Sequence, residues 1–230
     1  MEVVILCGGK GTRLSEYTQS IPKPMIEIGK KPILMHLMKF YASYGHKDFI
    51  LCLGYKGGKI MEFFKNNKEW NIKFVNTGEG SNKAERLTKV KDMIKGKTFI
   101  LSYGDDLCDV NVDELIKFHN AKKKVVTLTA VPMISPFGII ELGKDNEVIN
   151  IMEKPRLKSL MNGGFYIMKK KIFDYIKPGY DLEKEVFKEL ARDKQIAAFK
   201  HDGFWKSMNT LKDVIELNEL YDAGNTPWIR

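Results

Sequence analysis

The 230-residue chain has few of the residues that build disulfide frameworks or zinc sites. Its three cysteines, Cys7, Cys52 and Cys108, are odd in number and widely spaced, and no Cys/His cluster has zinc-binding spacing. Two of them lie in apolar, strand-like segments, so the cysteines are expected to be reduced core residues. This usage of cysteine predicts a cytoplasmic protein.

Long apolar runs are also absent. No run approaches the ~18 residues that a membrane-spanning helix needs, and the acidic Glu2 with no small-residue cleavage site after it argues against a signal peptide. We therefore expect no membrane partner. The formal charge of +9 suits anionic partners, but the lysines are scattered and no basic helix carries interleaved aromatic residues. Nucleic acid is therefore not expected as a partner, whereas a phosphorylated small molecule is compatible with the charge.

The order of apolar segments predicts the fold class. Hydrophobic residues make up 43% of the chain, enough for a substantial core. Strand-like and helix-like segments alternate over the first 130 residues or so, and the strands are almost continuously apolar. This pattern is typical of an α/β protein with a mostly parallel, Rossmann-like sheet that helices cover on both faces. Strands are predicted at residues 3–6, 48–53, 98–103 and 125–131, and helices at residues 32–45, after 57–58, at 82–94 and at 111–121.

The rhythm changes after residue 131. Residues 137–152 predict a β-hairpin, residues 163–168 another strand, and residues 181–192 and 210–223 two closing helices. No repeat, low-complexity segment or long polar linker divides the chain. We expect a single domain over residues 1–230, in which the second half, residues 132–230, is a small hairpin and helical extension folded over one end of the sheet.

A glycine-rich turn follows the first strand in the sequence LCGGKGTRL. Backbone amides can approach phosphate oxygens closely at Gly8, Gly9 and Gly11, where no Cβ intervenes. The turn does not end in the Gly-Lys-Ser/Thr of a Walker A motif, and Leu14 stands where a dinucleotide-binding turn has its third glycine. A glycine-rich turn alone is weak evidence, because turns need glycine in any case.

Thr12, Arg13 and Lys23 make this turn a predicted phosphate site. The Arg13 guanidinium is a planar, always-charged fork that suits phosphate. Lys23 lies between Pro22 and Pro24, which restrict the backbone and present the ammonium with little conformational entropy left to lose.

A second polar cluster, Gly104-Asp105-Asp106, follows the strand predicted at residues 98–103. Ligands of open parallel sheets bind at the carboxyl ends of the strands, so this cluster and the glycine-rich turn are expected at the same edge. Asp105 is a predicted carboxylate ligand for Mg²⁺, which prefers hard oxygen donors. Asp106 and Asp109 are expected in a turn or at a helix entry.

Two further motifs, Glu153-Lys154-Pro155 and Asn162-Gly163-Gly164, follow the hairpin. A lysine held before proline suggests a positioned cation. Taken alone, either motif is also compatible with ordinary loop chemistry.

Together these motifs resemble those of the sugar-phosphate nucleotidyltransferases, in the same order and over nearly the whole chain. The likeness narrows to the glucose-1-phosphate cytidylyltransferases through GYKG at 54–57, ERL at 85–87, YGDD at 103–106, NGGF at 162–165 and GFWKSMNTLKD at 203–213. The resemblance implies transfer of CMP from CTP to a phosphorylated acceptor with release of pyrophosphate. The acceptor would by default be a sugar 1-phosphate such as glucose 1-phosphate.

The resemblance also implies roles for individual residues. Residues 1–131 would form the nucleotide-binding half and residues 132–230 the acceptor-binding half. The nucleotide-binding residues would be Leu6, Gly8, Gly9, Gly11, Thr12, Arg13, Lys23, Arg86 and Gly104, and the catalytic ones Arg13, Lys23, Asp105 and Lys154. The acceptor would contact Glu153, Lys154, Asn162, Gly163 and Asn209, and Mg²⁺ would be held by Asp105 and Asn209.

Two departures from the family pattern leave alternatives open. The family usually has an aspartate where this chain has Asn209, whose amide oxygen can coordinate a metal but is neutral. A long insertion of the family is absent, and only residues 66–76 stand in its place, so assembly into a homo-oligomer stays open. An alternative acceptor is a non-sugar phosphate, such as phosphocholine or phosphoglutamine, in capsule or surface-polysaccharide modification.

Overall fold

The computed structural model describes residues 1–229 of the chain. Its strands are β1 (Val3–Leu6), β2 (Glu27–Ile28), β3 (Lys31–Pro32), β4 (Asp48–Leu53), β5 (Asn71–Asn76), β6 (Thr98–Tyr103), β7 (Asp106–Cys108), β8 (Val126–Ile134), β9 (Ile139–Leu142), β10 (Val148–Met152), β11 (Arg156–Lys169), β12 (Ile196–Lys200) and β13 (Trp205–Ser207).

The α-helices are α1 (Ser15–Thr18), α2 (Ile33–Ser43), α3 (Gly57–Phe64), α4 (Lys83–Lys89), α5 (Val112–Lys122), α6 (Phe187–Arg192) and α7 (Leu211–Asp222). Short 3₁₀ turns cover Thr12–Leu14, Lys23–Met25, Lys91–Met93, Lys144–Asn146 and Lys170–Tyr175, and a π-helical turn, Leu182–Val186, leads into α6. Within residues 1–229 no helix has the length and apolar character needed to cross a bilayer.

A seven-stranded sheet forms the centre of the molecule, in the order β12-β8-β11-β6-β1-β4-β5. Strand β11 is antiparallel to both β6 and β8, and the remaining neighbours in this sheet are parallel. The prediction of a mostly parallel α/β sheet is therefore confirmed. Strands from both predicted halves of the chain belong to this one sheet, since β8, β11 and β12 extend the sheet that β1, β4 and β6 begin.

Helices cover both faces of the sheet, as predicted, because successive strand residues point to opposite sides. Val3 and Ile5 of β1 lie in one buried cluster with Leu34 of α2. Val4 of β1 lies in a second cluster with Leu87 of α4. A strand that is apolar at every position is thus buried on both faces, which explains the continuous apolar runs in the sequence.

The predicted bounds of β4 and β6 are confirmed, as is the antiparallel hairpin of β9 and β10. The helix predicted from Pro32 begins one residue later, at Ile33, with Pro32 as the residue before its first turn. The helix predicted at 82–94 is shorter, since α4 gives way to a 3₁₀ turn after Val90. The strands β5 and β12 and the two-stranded ladder of β7 and β13 were not predicted. Each has three to six residues, and none has an unbroken apolar run as long as that of β4.

Candidate active site

A cleft of about 990 Å³ opens at the carboxyl edge of β1 and β6. Strand β1 pairs Leu6 with Cys52 of β4 and with Tyr103 of β6, so the chain leaves these three strands at the same level. Most of the predicted site residues line this cleft: Leu6, Gly8, Gly9, Gly11, Thr12, Arg13, Lys23, Arg86, Asp105, Asn162 and Asn209. The walls come from both the first and the second half of the chain.

The glycine-rich turn needs glycine at Gly11 for two reasons. Its φ of 63° is in the left-handed region, and a Cβ there would lie 2.9 Å from Thr18 Cγ2. Gly9, by contrast, is exposed, and a Cβ built on it would meet no atom within 4 Å. Its backbone therefore faces open space in the turn, where a ligand can approach it.

Arg86 holds the turn from behind. Its guanidinium is buried and donates hydrogen bonds to Gly8 O at 2.9 Å and to Thr77 Oγ1 at 2.7 Å, with further bonds to the carbonyl oxygens of Leu53 and Glu79. Burial lowers the pKa of Arg86 from its usual range. A Cβ on Gly8 would lie 1.9 Å from Arg86 Nη1, so Gly8 is required by this packing. Arg86 lines the cleft, but its two terminal nitrogens each donate two hydrogen bonds to the protein.

Lys23 is the centre of the polar contacts below the turn. Its side chain is 11% exposed and its Nζ forms an ion pair with the Asp105 carboxylate. The same Nζ donates a hydrogen bond to Asn209 Oδ1 at 2.9 Å. Residues far apart in the chain thus meet at one ammonium group.

Asn209 also joins this cluster to Arg13, whose Nη2 donates to Asn209 Oδ1 at 2.8 Å. The amide is held from behind, because its Nδ2 donates to Ser207 Oγ at 2.7 Å and its backbone N–H donates to Asp213 Oδ2 at 3.0 Å. Asp213 also belongs to the capping box that begins α7. The start of α7 therefore fixes the direction of the Asn209 oxygen.

The two predicted metal ligands present oxygen atoms to a common point. The Asp105 carboxylate and Asn209 Oδ1 both contact Lys23 Nζ, so a cation already lies between them. A carboxylate and an amide oxygen are the hard donors that Mg²⁺ prefers, and the residues present fit that ion when substrate phosphates complete its coordination.

Asp106 is a buried residue of the cleft, and the expectation of a turn position for it is wrong. It begins β7, pairs with Ser207 of β13, and is 4% exposed. Burial, with the neighbouring Asp105 carboxylate adding to it, raises the pKa of Asp106 well above its usual range. Asp109 lies in the short connection between β7 and α5, two residues before Asn111, the N-cap of that helix.

A second group of polar side chains lines the cleft on the side of β11. Asn162 Nδ2 donates to Tyr166 Oη at 2.5 Å, and Tyr103 Oη donates to Glu183 Oε1 at 2.6 Å. Lys83 forms an ion pair with Glu183 and lies over the Tyr103 ring, 4.7 Å from its centroid. The sequence analysis missed Tyr103, Lys83 and Glu183. For Lys83, the sequence does carry a signal: the Asn82 capping box marks the start of α4 and places Lys83 in its first turn.

Four predicted residues do not line the cleft. Gly104 packs beside it, donating its N–H to Leu6 O at 3.1 Å, and the Gly163 carbonyl accepts from Trp205 Nε1 at 2.6 Å. Glu153 and Lys154 lie between β10 and β11, pair with each other at 3.5 Å, and are at least half exposed. Their proposed contacts with an acceptor remain predictions.

Comparison with known proteins agrees with this geometry. A family model described as nucleotidyl transferase matches residues 2–224. The chain is 40% identical over 252 residues to a probable glucose-1-phosphate cytidylyltransferase of Bacillus subtilis, covering 99% of both proteins. It is 39% identical over 254 residues to the glucose-1-phosphate cytidylyltransferase of Salmonella typhimurium, covering 99% of this chain and 98% of that protein.

A solved structure of HddC from Yersinia pseudotuberculosis, complexed with GMP-PN, superposes with a TM-score of 0.75 at 27% identity, covering 96% of this chain and 99% of that one. The fold and the cleft define an α/β enzyme with a glycine-rich turn, Arg13 and Lys23 at the carboxyl edge of its sheet. The chain belongs to the nucleotidyl transferase family.

Proposed function

We propose that the protein transfers CMP from CTP to glucose 1-phosphate and releases pyrophosphate. The observation that carries the proposal is the convergence of Arg13, Lys23, Asp105 and Asn209 beneath the glycine-rich turn. The similarity to glucose-1-phosphate cytidylyltransferases over the full length of the chain supports the choice of CTP and of the sugar phosphate.

The triphosphate would lie along the glycine-rich turn. The exposed backbone at Gly9 leaves room for phosphate oxygens, and Arg13 and Lys23 supply two positive charges on the same side of the cleft. Arg86 supports this site from behind by holding Gly8 O in place. These donors would neutralise the charge that grows on the leaving pyrophosphate, the electrostatic effect that dominates transfer reactions of this kind.

The chemistry requires no strong base. A phosphate monoester has its second pKa near ~6 and is largely a dianion at neutral pH. None of the described histidines lines the cleft. One oxygen of the acceptor phosphate forms a bond to the α-phosphorus of CTP, and the bond from that phosphorus to the bridging oxygen breaks. Pyrophosphate leaves with the electron pair, and positioning two anions in line is the main task of the protein.

Asp105 and Asn209 would hold Mg²⁺. The ion would neutralise part of the negative charge on the phosphate oxygens, and the proposal gives it no other role. Lys154 would contact the acceptor phosphate, and Glu153, Asn162 and Gly163 the acceptor body. Hydrogen-bonding groups at Asn162, Asp181 and Glu183 line the cleft and suit the hydroxyl groups of a sugar. A nucleotide-activated sugar is the substrate that glycosyl transfer consumes, so the product would supply that class of reaction.

Pyrophosphate release tests the proposal directly. The purified chain with Mg²⁺ is given CTP, UTP or dTTP, together with glucose 1-phosphate, other sugar 1-phosphates, phosphocholine or phosphoglutamine. We expect turnover with CTP and glucose 1-phosphate, and a CDP-sugar as the second product. Turnover with phosphocholine or phosphoglutamine alone would show instead that the acceptor pocket serves a non-sugar phosphate, with neutral Asn209 as the first residue to examine. No release with any pair would contradict nucleotidyl transfer by this chain.

A further inference from the structure

A group of side chains of the types that bind metal ions lies outside the lining of the cleft. Cys108, Asp109 and His201 bring a thiol, a carboxylate and an imidazole together, with their ligand atoms all within 4.8 Å of one another. His201 Nε2 lies 2.8 Å from Asp109 Oδ1. Within residues 1–229 no other three Cys, His, Asp or Glu side chains converge this closely.

Two further features of this group indicate that it can hold a ligand. Asp109 Oδ1 is buried, and its close contact with His201 Nε2 lacks hydrogen-bond geometry, since that ring nitrogen contacts Phe204 O at 3.2 Å; no other donor reaches Oδ1 from the part of the chain that the structure describes. Gly203 lies against the group, and a Cβ there would stand 2.5 Å from Asp109 Oδ1 and 2.7 Å from His201 Cε1. A buried oxygen without a hydrogen-bond donor is costly unless a cation or another donor satisfies it.

The backbone holds the three donors in place. Cys108 ends β7 and pairs with Trp205 of β13. The next residue, Asp109, donates its N–H to Phe204 O at 3.2 Å, and His201 donates its N–H to Ala130 O at 2.9 Å. The donors thus come from two segments distant in sequence that regular backbone hydrogen bonds already join, so little ordering is left for a metal to impose.

We propose that Cys108, Asp109 and His201 form a binding site for a divalent transition metal, zinc by the chemistry of the donors. Thiolate, imidazole and carboxylate together are typical zinc ligands, and they disfavour magnesium, which takes oxygen donors. Zinc–ligand distances of about 2.0–2.3 Å require small movements from the present spacing. The Asp109 side chain is about one-third exposed, which leaves a fourth position open to water.

Metal binding would replace the thiol proton. Burial raises the pKa of the Cys108 thiol, so the free protein holds it protonated. Coordination forms a metal–sulfur bond and releases that proton to solvent. The buried position explains why the thiol would be unreactive without the metal.

The proposed site lies at the Cys108 end of the β7–β13 ladder, and the ladder itself forms part of the wall of the cleft. Trp205 pairs with Cys108, and two residues further along the ladder Ser207 pairs with Asp106. Trp205, Ser207 and Asp106 all line the cleft. A bound zinc would therefore tie together the two strands that form this wall, and its role would be to stabilise the wall and not to take part in the reaction.

Titration with Co²⁺ tests the site without relying on activity. The full chain, in excess Mg²⁺ to occupy oxygen-donor sites, should bind one equivalent of Co²⁺ with a thiolate-to-cobalt charge-transfer band in the near ultraviolet. Zn²⁺ should displace it. Cys108→Ser and His201→Gln should each weaken binding by about 100-fold or more, beyond the loss typical of an outer-shell contact. Cys52→Ser, which changes another buried strand cysteine, should leave the band intact.

Stability provides a second measurement. Zn²⁺ should raise the melting temperature of the wild-type chain and leave that of His201→Gln unchanged, because only binding to the native state stabilises it. The absence of a thiolate band in the wild type would overturn the proposal. So would a band that persists in Cys108→Ser or disappears in Cys52→Ser. Should Cys108→Ser fail to fold, His201→Gln decides the same point, since it leaves all three cysteines in place.

Discussion

Asn209 Oδ1 accepts a hydrogen bond from Lys23 Nζ at 2.9 Å, although the two residues are 186 positions apart in the chain. The same oxygen accepts from Arg13 Nη2 at 2.8 Å. A neutral amide thus stands beside the two cations that we expect to hold the triphosphate. Its oxygen is oriented by Ser207 and by the first turn of α7, so it takes part in the site as a fixed acceptor.

Replacing Asn209 by aspartate should strengthen Mg²⁺ binding. A negative ligand attracts the ion more than an amide oxygen does, and the hydrogen bonds from Lys23 and Arg13 are retained. We expect the Mg²⁺ concentration for half-maximal pyrophosphate release to fall by about tenfold, with a small change in kcat. Asn162→Asp is the matched control, because it adds the same charge elsewhere in the cleft. An unchanged Mg²⁺ requirement in Asn209→Asp would remove Asn209 from the metal site.

Removing the Lys23 ammonium should nearly abolish turnover. Lys23→Ala deletes one charge that would neutralise the donor phosphates, and we expect kcat to fall by about 10²–10³-fold. Lys30→Ala, which changes an exposed lysine in the turn between β2 and β3, should behave as the wild type. Denaturant unfolding must accompany the assay, because the variant leaves Asp105 without its ion-pair partner. A folded Lys23→Ala enzyme with near wild-type kcat would refute the assignment.

Two adjacent glycines should respond differently to alanine. In Gly8→Ala the new Cβ would collide with the buried Arg86 guanidinium, and we expect the free energy of unfolding to fall by about 2 kcal/mol or more. In Gly9→Ala the Cβ meets nothing within 4 Å, so the change should stay within about 0.5 kcal/mol. Equal losses in the two variants would show that Arg86 does not pack against Gly8 as described.

Buried His119 should make stability depend on pH. Burial, with the Lys169 charge adding to it, lowers the pKa of His119 to about 4, and its Nδ1 lies 2.9 Å from Thr127 Oγ1. The unfolded chain protonates this histidine near pH ~6.5, so it binds more protons than the folded one between about pH 6.5 and 4. The free energy of unfolding should therefore fall over that window as pH is lowered, by about 3 kcal/mol from this residue.

His119→Asn removes the titrating ring and can keep the contact with Thr127. The comparison is the slope of the free energy of unfolding against pH, measured for both proteins by denaturant titration. The wild type should be steeper between about pH 6.5 and 4, whatever the absolute stability of the variant. Identical slopes would mean that His119 titrates normally in the folded state.

The contact of Lys154 with the acceptor phosphate calls for a kinetic test, because the Lys154 side chain is half exposed and lies outside the cleft. If it contacts the acceptor phosphate, Lys154→Ala should raise the KM for the acceptor by about tenfold and leave the KM for CTP unchanged. Lys144→Ala, an exposed lysine in the turn of the same hairpin, provides the control. Normal acceptor kinetics in Lys154→Ala would exclude the role.

The elements that the sequence predicted well have strong local signals. The bounds of β4 and β6 follow from unbroken apolar runs, and the hairpin of β9 and β10 from two apolar segments around a polar turn. The strands that were missed lack such signals. β13 has three residues, and β5, at the edge of the sheet, has asparagine at both ends and no long unbroken apolar run. Their formation depends on pairing with partners distant in sequence.

The candidate site divides in the same way. Residue type and order are enough to recognise three features: the glycines beside Arg13, Lys23 between its prolines, and Asp105 after a strand. Phosphate binding requires, in turn, backbone access, fixed cations and hard oxygen ligands. Contacts across the sheet decide the rest of the site. They direct the Arg86 guanidinium to Gly8 O, bury Asp106 and pair Lys83 with Glu183. Nothing in the neighbouring sequence of these residues specifies such contacts.

The sequence alone determined the α/β class, the glycine-rich turn and the cations beside it, because hydrophobic periodicity and local backbone chemistry act over a few residues. The tertiary structure decided which of those groups meet at Lys23 and which carboxylate is buried. It also decided that Cys108 and Asp109 lie beside His201, which is 93 positions from Cys108 and 92 from Asp109 in the chain. These relations depend on the order and register of the strands, which set distances between segments far apart in the chain.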